Sequence, residues 1–319
     1  METVFLGDSD LCVSRLAFGG CPMGRHGWGD VSKQGFLDAI NVALDSGLTF
    51  FDTADTYGLG EGERTLGEAL GRRRGNAVIA TKFGVRVEGG RTFYDNSPQW
   101  INAALRASLQ RLNTDHVDLF QIHYRDGVTP LDDVVATLSD LRDQGLIRHF
   151  GLSNVGLGDA AELTPVGHRF VSFQDEFSLA NRTHESDINA LSQSFGLTPL
   201  TWGSLGQGIL TGKYDSATRF DPNDRRSRPV YVNFHGAKLE HNLRIVDVLR
   251  EIAEEVRKPV PSVAIRWILD RLPGSVAIAG IKTTEQLTSN LAALDWQLTP
   301  AQLDALTTVS EDEVADEQH

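Results

Sequence analysis

Apolar residues gather into eight short, β-rich runs: Arg15–Gly20, Leu48–Ala54, Ala77–Phe83, Val117–His123, Ile147–Ser153, Phe170–Glu176, Leu197–Gly203 and Ser275–Ile281. The runs are nearly continuous in apolar residues rather than alternating, the pattern of parallel strands covered on both faces. Segments with helical spacing separate most of them. Phe36, Ile40, Ala43 and Leu44 share one face, as do Ile101, Leu105, Leu109 and Leu112. Leu131, Val134, Val135, Leu138 and Leu141 repeat the pattern ahead of Gly145, a helix-stopping residue. Eight strand-then-helix units predict an α/β protein with a (β/α)8 TIM barrel, a fold of roughly 250 residues plus insertions. The 319 residues accommodate one such domain spanning 1–319.

Two stretches break the rhythm. In Met1–Val13, VFLG and LCV flank Asp8-Ser9-Asp10, which reads as a hairpin closing the barrel bottom. Between Trp202 and Ser275 lies a Gly/Asp/Arg/Pro-rich loop from Gly206 towards Pro229, then helices expected over Leu239–Val256 and Val263–Leu272. So long a loop in a compact domain is usually functional or disordered. Following the seventh strand, it emerges on the rim where such barrels carry their chemistry.

The composition is that of an ordinary globular protein, 40% hydrophobic and 23% charged. Charge narrows the partners. The net charge is −13, and a run of acids (Glu311, Asp312, Glu313, Asp316, Glu317) sits in a tail, 311–319, expected to be mobile. Nucleic acid and anionic membranes call for a basic field and are excluded as partners. Arg72-Arg73-Arg74 is the sole basic run and reads as a solvated helix end. Cys12 and Cys21 are too few for a disulfide framework and lack the company of a metal site, so no metal is expected and a reducing cytoplasm fits. METVFLGDSD contains no signal-peptide core. No window approaches the run of about 18 apolar residues that a membrane span needs.

Four chemistry-bearing residues lie at the ends of successive runs. Asp52 and Tyr57 stand in FFDTADTYG, Lys82 in AVIATKFG and His123 in VDLFQIHY. Singly, each has an ordinary explanation: a capping Asp, a solvated Lys, a structural His. Together, at adjacent strand ends facing one barrel mouth, they form the equipment of a proton donor to a carbonyl oxygen. A tyrosine normally titrates near about 10. A cationic Lys82 nearby is expected to lower that value, with Asp52 keeping Lys82 charged and aimed. His123 would orient the carbonyl or assist proton transfer, and Tyr57 would protonate the oxygen as hydride reaches the carbon.

With these residues in place, the chain resembles the aldo-keto reductases. FFDTADTYG, TKFG around Lys82 and QIHYRD around His123 are similar to that family's blocks, as are GLSN (151–154), FQDEFSL around Gln174, WGSLGQGILTGKY (202–214) and GIKTTEQLTSNLAAL (280–294). The resemblance implies a barrel that binds NADPH without a Rossmann domain, and no GxGxxG follows a strand here. It implies that Gly20 borders the cofactor and that Ser153, Asn154 and Gln174 hydrogen-bond the nicotinamide carboxamide. Trp202 would stack on the ring. Ser204, Leu205, Gln207, Gly208 and Lys213 would meet the pyrophosphate. Gly280, Ile281, Lys282, Gln286 and Asn290 would hold the adenosine end. Many relatives carry an arginine near position 286 for the 2′-phosphate; here Lys282 is the evident cation, with Arg225 and Arg226 in the long loop as further candidates. NADPH is the expected cofactor, and NADH use stays open.

Trp28, in His26-Gly27-Trp28 after the first run, and Tyr124 beside His123 are expected to wall the substrate site. The substrate is a small aldehyde or ketone, with sugar-like carbonyls among the possibilities. Two other readings compete: a nicotinamide-binding regulatory subunit with little turnover, and a metal-dependent barrel hydrolase. The second is disfavoured because the nine histidines include no HxH pair. Neither the oligomeric state nor the direction of flux is written in the sequence.

Overall fold

The chain opens with an antiparallel hairpin, β1 (Thr3–Phe5) and β2 (Cys12–Ser14). Strand and helix then alternate through β3 (Leu16–Gly19), α1 (Lys33–Asp45), β4 (Phe50–Asp52), α2 (Glu61–Leu70) and β5 (Val78–Phe83). A second hairpin, β6 (Val85–Glu88) and β7 (Arg91–Tyr94), precedes α3 (Pro98–Leu112). The order continues β8 (Val117–Ile122), α4 (Leu131–Asp143), β9 (Ile147–Ser153), α5 (Ala160–Val166), β10 (Ser172–Glu176), α6 (Glu185–Phe195) and β11 (Thr198–Trp202). It closes with α7 (Gly236–Val256), α8 (Val260–Arg271), β12 (Val276–Gly280), α9 (Thr284–Leu291) and α10 (Pro300–Val309). This is a computed structural model; it describes residues 1–25, 27–29 and 31–311. His26 and the acidic run from Asp312 onward lie outside the described residues.

Strands β3, β4, β5, β8, β9, β10, β11 and β12 close a parallel barrel, with β12 pairing back onto β3. The predicted (β/α)8 barrel is therefore the fold. Its strands are apolar on both faces because both are covered, and all six residues of β8 are buried. Outward-facing residues join the helices in one large apolar cluster, to which α1 contributes Phe36, Ala39, Ile40 and Ala43. A second cluster fills the barrel: Ala17, Phe50, Ala80, Leu119, Val171, Leu200 and Val276. Leu6, Leu11 and Val13 of the first hairpin belong to it, so that hairpin plugs the barrel's lower end as expected. Gly7 makes the close approach possible: its φ is +50°, and a Cβ there would stand 2.7 Å from the Val171 carbonyl oxygen.

The Arg72–Arg74 run departs from its sequence reading. It lies in a 3-10 turn, Gly71–Asn76, and Arg74 is turned inward rather than solvated. Its guanidinium donates to the Ala77 and His116 carbonyls and to buried Asp118 at 2.8 Å. The β6–β7 hairpin was not predicted. Both its faces are largely exposed, so it leaves no apolar run to detect. Nor is the segment between β11 and α7 structureless: it holds three short 3-10 turns. Arg226 pins it, pairing with Asp224 through two nitrogens and lying 4.6 Å over the Phe220 ring. No described helix is long and apolar enough to cross a membrane.

Candidate active site

Barrel register brings the selected residues to one level. Asp52 on β4 lies opposite Ala80, so Lys82 stands one inward-facing position further up β5 and opposite Gln121 on β8. On the far side Gln174 pairs with Ser153, and Glu176 with Trp202. All of these are at or beside the C-terminal strand ends.

The four residues proposed from the sequence converge. The Lys82 ammonium donates to both Asp52 oxygens at 2.7 and 2.9 Å, to the Thr53 carbonyl at 3.0 Å and to the Tyr57 hydroxyl at 3.3 Å. Lys82 is 1% and Asp52 2% exposed, so the ion pair is shielded from water. Gln174 and Gln121 also donate to Asp52 Oδ2, at 2.8 and 3.4 Å. Thus the amide nitrogen of Gln174, proposed for the cofactor, here holds the carboxylate. The His123 ring meets Tyr57 edge-on at 6.1 Å and stacks on Tyr124 at 5.0 Å.

One electrostatic expectation is reversed. Tyr57 is pushed well above the usual phenol range, first by burial and then by the negative charge of Asp52. Burial and the Asp52 charge outweigh the lowering expected from Lys82, whose own charge is matched by the carboxylate it grips. Tyr57 is therefore held as the neutral phenol, the form with a proton to give. His123 is driven the other way, to about 3, by burial first and then by Lys82, so its imidazole is neutral. The Nδ1 atom of His123 is buried without a hydrogen-bond partner.

Beneath this group runs a network the sequence reading missed. Glu63 is fully buried on α2; its carboxylate accepts from the Thr81 hydroxyl at 2.6 Å and from Arg111 at 2.5 Å. A charged residue on the apolar face of α2, flanked by Gly62, Leu66 and Gly67, was the available signal. Asp55, in the turn before Tyr57, has its carboxyl raised to about 7 by burial and by Glu63.

The group opens into a cleft of about 930 Å³. Asp52, Tyr57, His123, Trp28 and Tyr124 line one part of it. The wall continues through Ser153, Asn154, Gln174, Trp202, Ser204, Leu205, Gln207, Gly208 and Lys213 to Gly280, Lys282, Gln286 and Asn290. Ile281 is instead fully buried, and Gly20 lies behind the wall, its N–H donating to the Asp52 carbonyl at 2.7 Å. Several side chains are already engaged. Asn154 donates to the His123 carbonyl at 2.9 Å, and the Ser204 hydroxyl to Thr201 and Ile278 carbonyls. Gln207 bridges Glu176 and Asn233. The Lys282 ammonium donates to the Trp28 carbonyl at 2.6 Å, and Lys282 is lowered by burial and by Arg226. The Asn290 side-chain nitrogen is buried, unpartnered and on the cleft wall, which suits a hydrogen-bonding heterocycle there. Arg225, Arg226, Tyr214, Tyr231 and Glu285 also line the cleft.

A long cleft beside a Tyr–Lys–Asp–His group at the mouth of a parallel barrel matches a known pattern. The aldo/keto reductase family model covers residues 15–311. The chain belongs to the aldo/keto reductase family. It is similar to the NADH-specific methylglyoxal reductase of Escherichia coli, at 29% identity over 98% of this chain and 99% of the relative. Aldo-keto reductase YhdN of Bacillus subtilis is 28% identical over 99% of this chain and 96% of its own length. Among solved structures, the glycerol dehydrogenase of Gluconobacter oxydans superposes with a TM-score of 0.87 at 31% identity, covering 96% of this chain and 94% of that one. Aldo-keto reductases are oxidoreductases that use nicotinamide cofactors and act on small carbonyl compounds, so this chain is an oxidoreductase of that kind.

Proposed function

We propose that this aldo-keto reductase reduces aldehydes and ketones with NADPH, and that Tyr57 is the acid. The observation carrying this reading is the Tyr57 hydroxyl 3.3 Å from an ammonium that Asp52 holds through both oxygens. When bound, the dinucleotide supplies the hydride. Tyr57 donates its proton to the carbonyl oxygen as negative charge develops there. Lys82 stabilises the phenolate left behind, and its pairing with Asp52 keeps it aimed. Neutral His123 directs an N–H towards the same oxygen. Ser153, Asn154 and Gln174 are assigned to the carboxamide, Trp202 to the ring face, and the 204–213 segment to the pyrophosphate. Lys282 is assigned to the 2′-phosphate. Its pKa is lowered by burial first and then by the positive charge of Arg226, and an added phosphate would offset both.

The test is oxidation of NADPH and of NADH by wild-type enzyme with 4-nitrobenzaldehyde and a ketone panel. Turnover with a preference for NADPH, and loss of that preference in Lys282→Ala, are expected. Tight nucleotide binding without turnover of any carbonyl would overturn the reading in favour of a binding protein.

A further inference from the structure

Beside the main cleft lies a second recess of about 240 Å³, lined by Cys21, Gly24, Thr56, Tyr57, Gly58 and Arg225. Cys21, Tyr57 and Arg225 line both spaces, so the recess adjoins the main cleft at the proton donor. Of its lining residues only Arg225 was a candidate for the nucleotide, and Lys282 is assigned that role instead. Its wall contains one charged side chain, Arg225, and no carboxylate.

That arginine is half-buried, whereas the other described arginines without a side-chain partner, such as Arg72, Arg91, Arg106, Arg228 and Arg257, are exposed. Among the described residues, the Arg225 guanidinium has no ion-pair partner and no hydrogen-bond acceptor. The adjacent carboxylate is otherwise occupied: Asp224 is committed to Arg226 at 2.8 and 2.5 Å. Arg225 is nevertheless held in place. Its backbone N–H donates to the Gly27 carbonyl at 2.9 Å, and its guanidinium lies 5.7 Å over the Trp28 ring. A Cβ on Gly27 would meet the Arg225 side chain at 2.4 Å, so the glycine leaves the space that the stem occupies. The Trp28 ring is braced in turn by Tyr231, edge-on at 6.2 Å. A positioned, half-buried guanidinium with its fork free is a receptor for a planar anion, and a carboxylate matches it with two parallel hydrogen bonds.

We propose that Arg225 binds a carboxylate on the substrate, so that the enzyme favours carbonyl compounds carrying an acid group: short oxo acids and aryl aldehydes with a ring carboxylate. This rests on the reductase reading. In the reaction, hydride adds to the carbonyl carbon, the π pair moves to oxygen, and that oxygen takes the Tyr57 proton. The nicotinamide is oxidised, a hydroxy acid forms, and the carboxylate is unchanged throughout. Tyr57 and Arg225 both line the main cleft, so a carbonyl at the phenol and a carboxylate at the guanidinium lie in one continuous space.

The experiment compares kcat/KM for 4-carboxybenzaldehyde and benzaldehyde in wild type, Arg225→Met, Arg225→Lys and Arg228→Gln. The ratio of the two substrates should fall by about ten- to hundredfold in Arg225→Met, the worth of hydrogen bonds to a charged group. Arg225→Lys should recover part of it, and Arg228→Gln, altering an exposed arginine three positions on, should keep it. A titration of protein fluorescence with 4-(hydroxymethyl)benzoate and with benzyl alcohol, read without turnover, should show carboxylate-selective binding that Arg225→Met removes. An unchanged ratio and unchanged selectivity would overturn the proposal. So would a rise in nucleotide KM with the ratio intact, which would assign Arg225 to a cofactor phosphate. If wild type reduces neither aldehyde, the reductase reading fails, while the titration still decides what Arg225 binds.

Discussion

His123 offers a sharp thermodynamic test, because burial has stripped it of ordinary titration. Its ring is enclosed by the Tyr57 edge and the Tyr124 face, Nδ1 has no partner, and Lys82 adds positive charge. The ring is therefore displaced from 6.5 to about 3. The sign follows from proton binding. As pH falls below the ordinary value, the unfolded chain takes up a proton that the folded chain refuses, so stability present near neutrality is lost towards acid. At about pH 5 the unfolded histidine is roughly one and a half pH units into protonation, which amounts to about 2 kcal/mol. Urea unfolding of wild type and His123→Gln from about pH 8 to about pH 5 isolates this contribution, since other groups cancel in the comparison. Wild type should lose about 2 kcal/mol more than the variant over that interval. Equal losses, or an imidazole titrating by NMR near its ordinary value in the folded protein, would refute the reasoning.

Asp55 should behave in the opposite sense: its folded carboxyl titrates at about 7 against 3.8 ordinarily, so its burial costs stability as pH rises through that window. Asp55→Asn should raise unfolding free energy at about pH 8 by roughly 4 kcal/mol and bring little change near about pH 4, measured by urea titration. Lys82→Met strands a buried carboxylate and should cost about 3–5 kcal/mol, whereas adding Asp52→Leu should restore much of the loss in a double-mutant cycle. Strict additivity of the two would contradict the coupling drawn from their 2.7 Å contact.

The barrel was readable because its strands are buried on both faces, and the apolar runs mark all eight. The four converging residues were readable because strand ends in this fold share one mouth. What escaped lacked those signals. The β6–β7 hairpin turns on Gly89-Gly90 with φ of +57° and +76°, a recognisable turn, but its exposed strands bury too little to be seen by hydrophobicity. Arg74 resembled a surface charge because its partner Asp118 is 44 residues away. The Tyr57 titration was misjudged because a sequence shows the neighbouring cation without showing how deeply the phenol is buried, with the Asp52 charge adding to the same effect. Likewise Glu63 sat on an apolar helix face, but its partners Thr81 and Arg111 came from two other elements.

The central claim is that Tyr57 supplies the proton. It is tested most directly by single-turnover NADPH oxidation with 4-nitrobenzaldehyde in wild type and Tyr57→Phe, with nucleotide binding followed by fluorescence in both. The account predicts that the variant binds NADPH but reduces the aldehyde slower by about a hundredfold or more, the usual contribution of a positioned acid. A rate equal to wild type would contradict it.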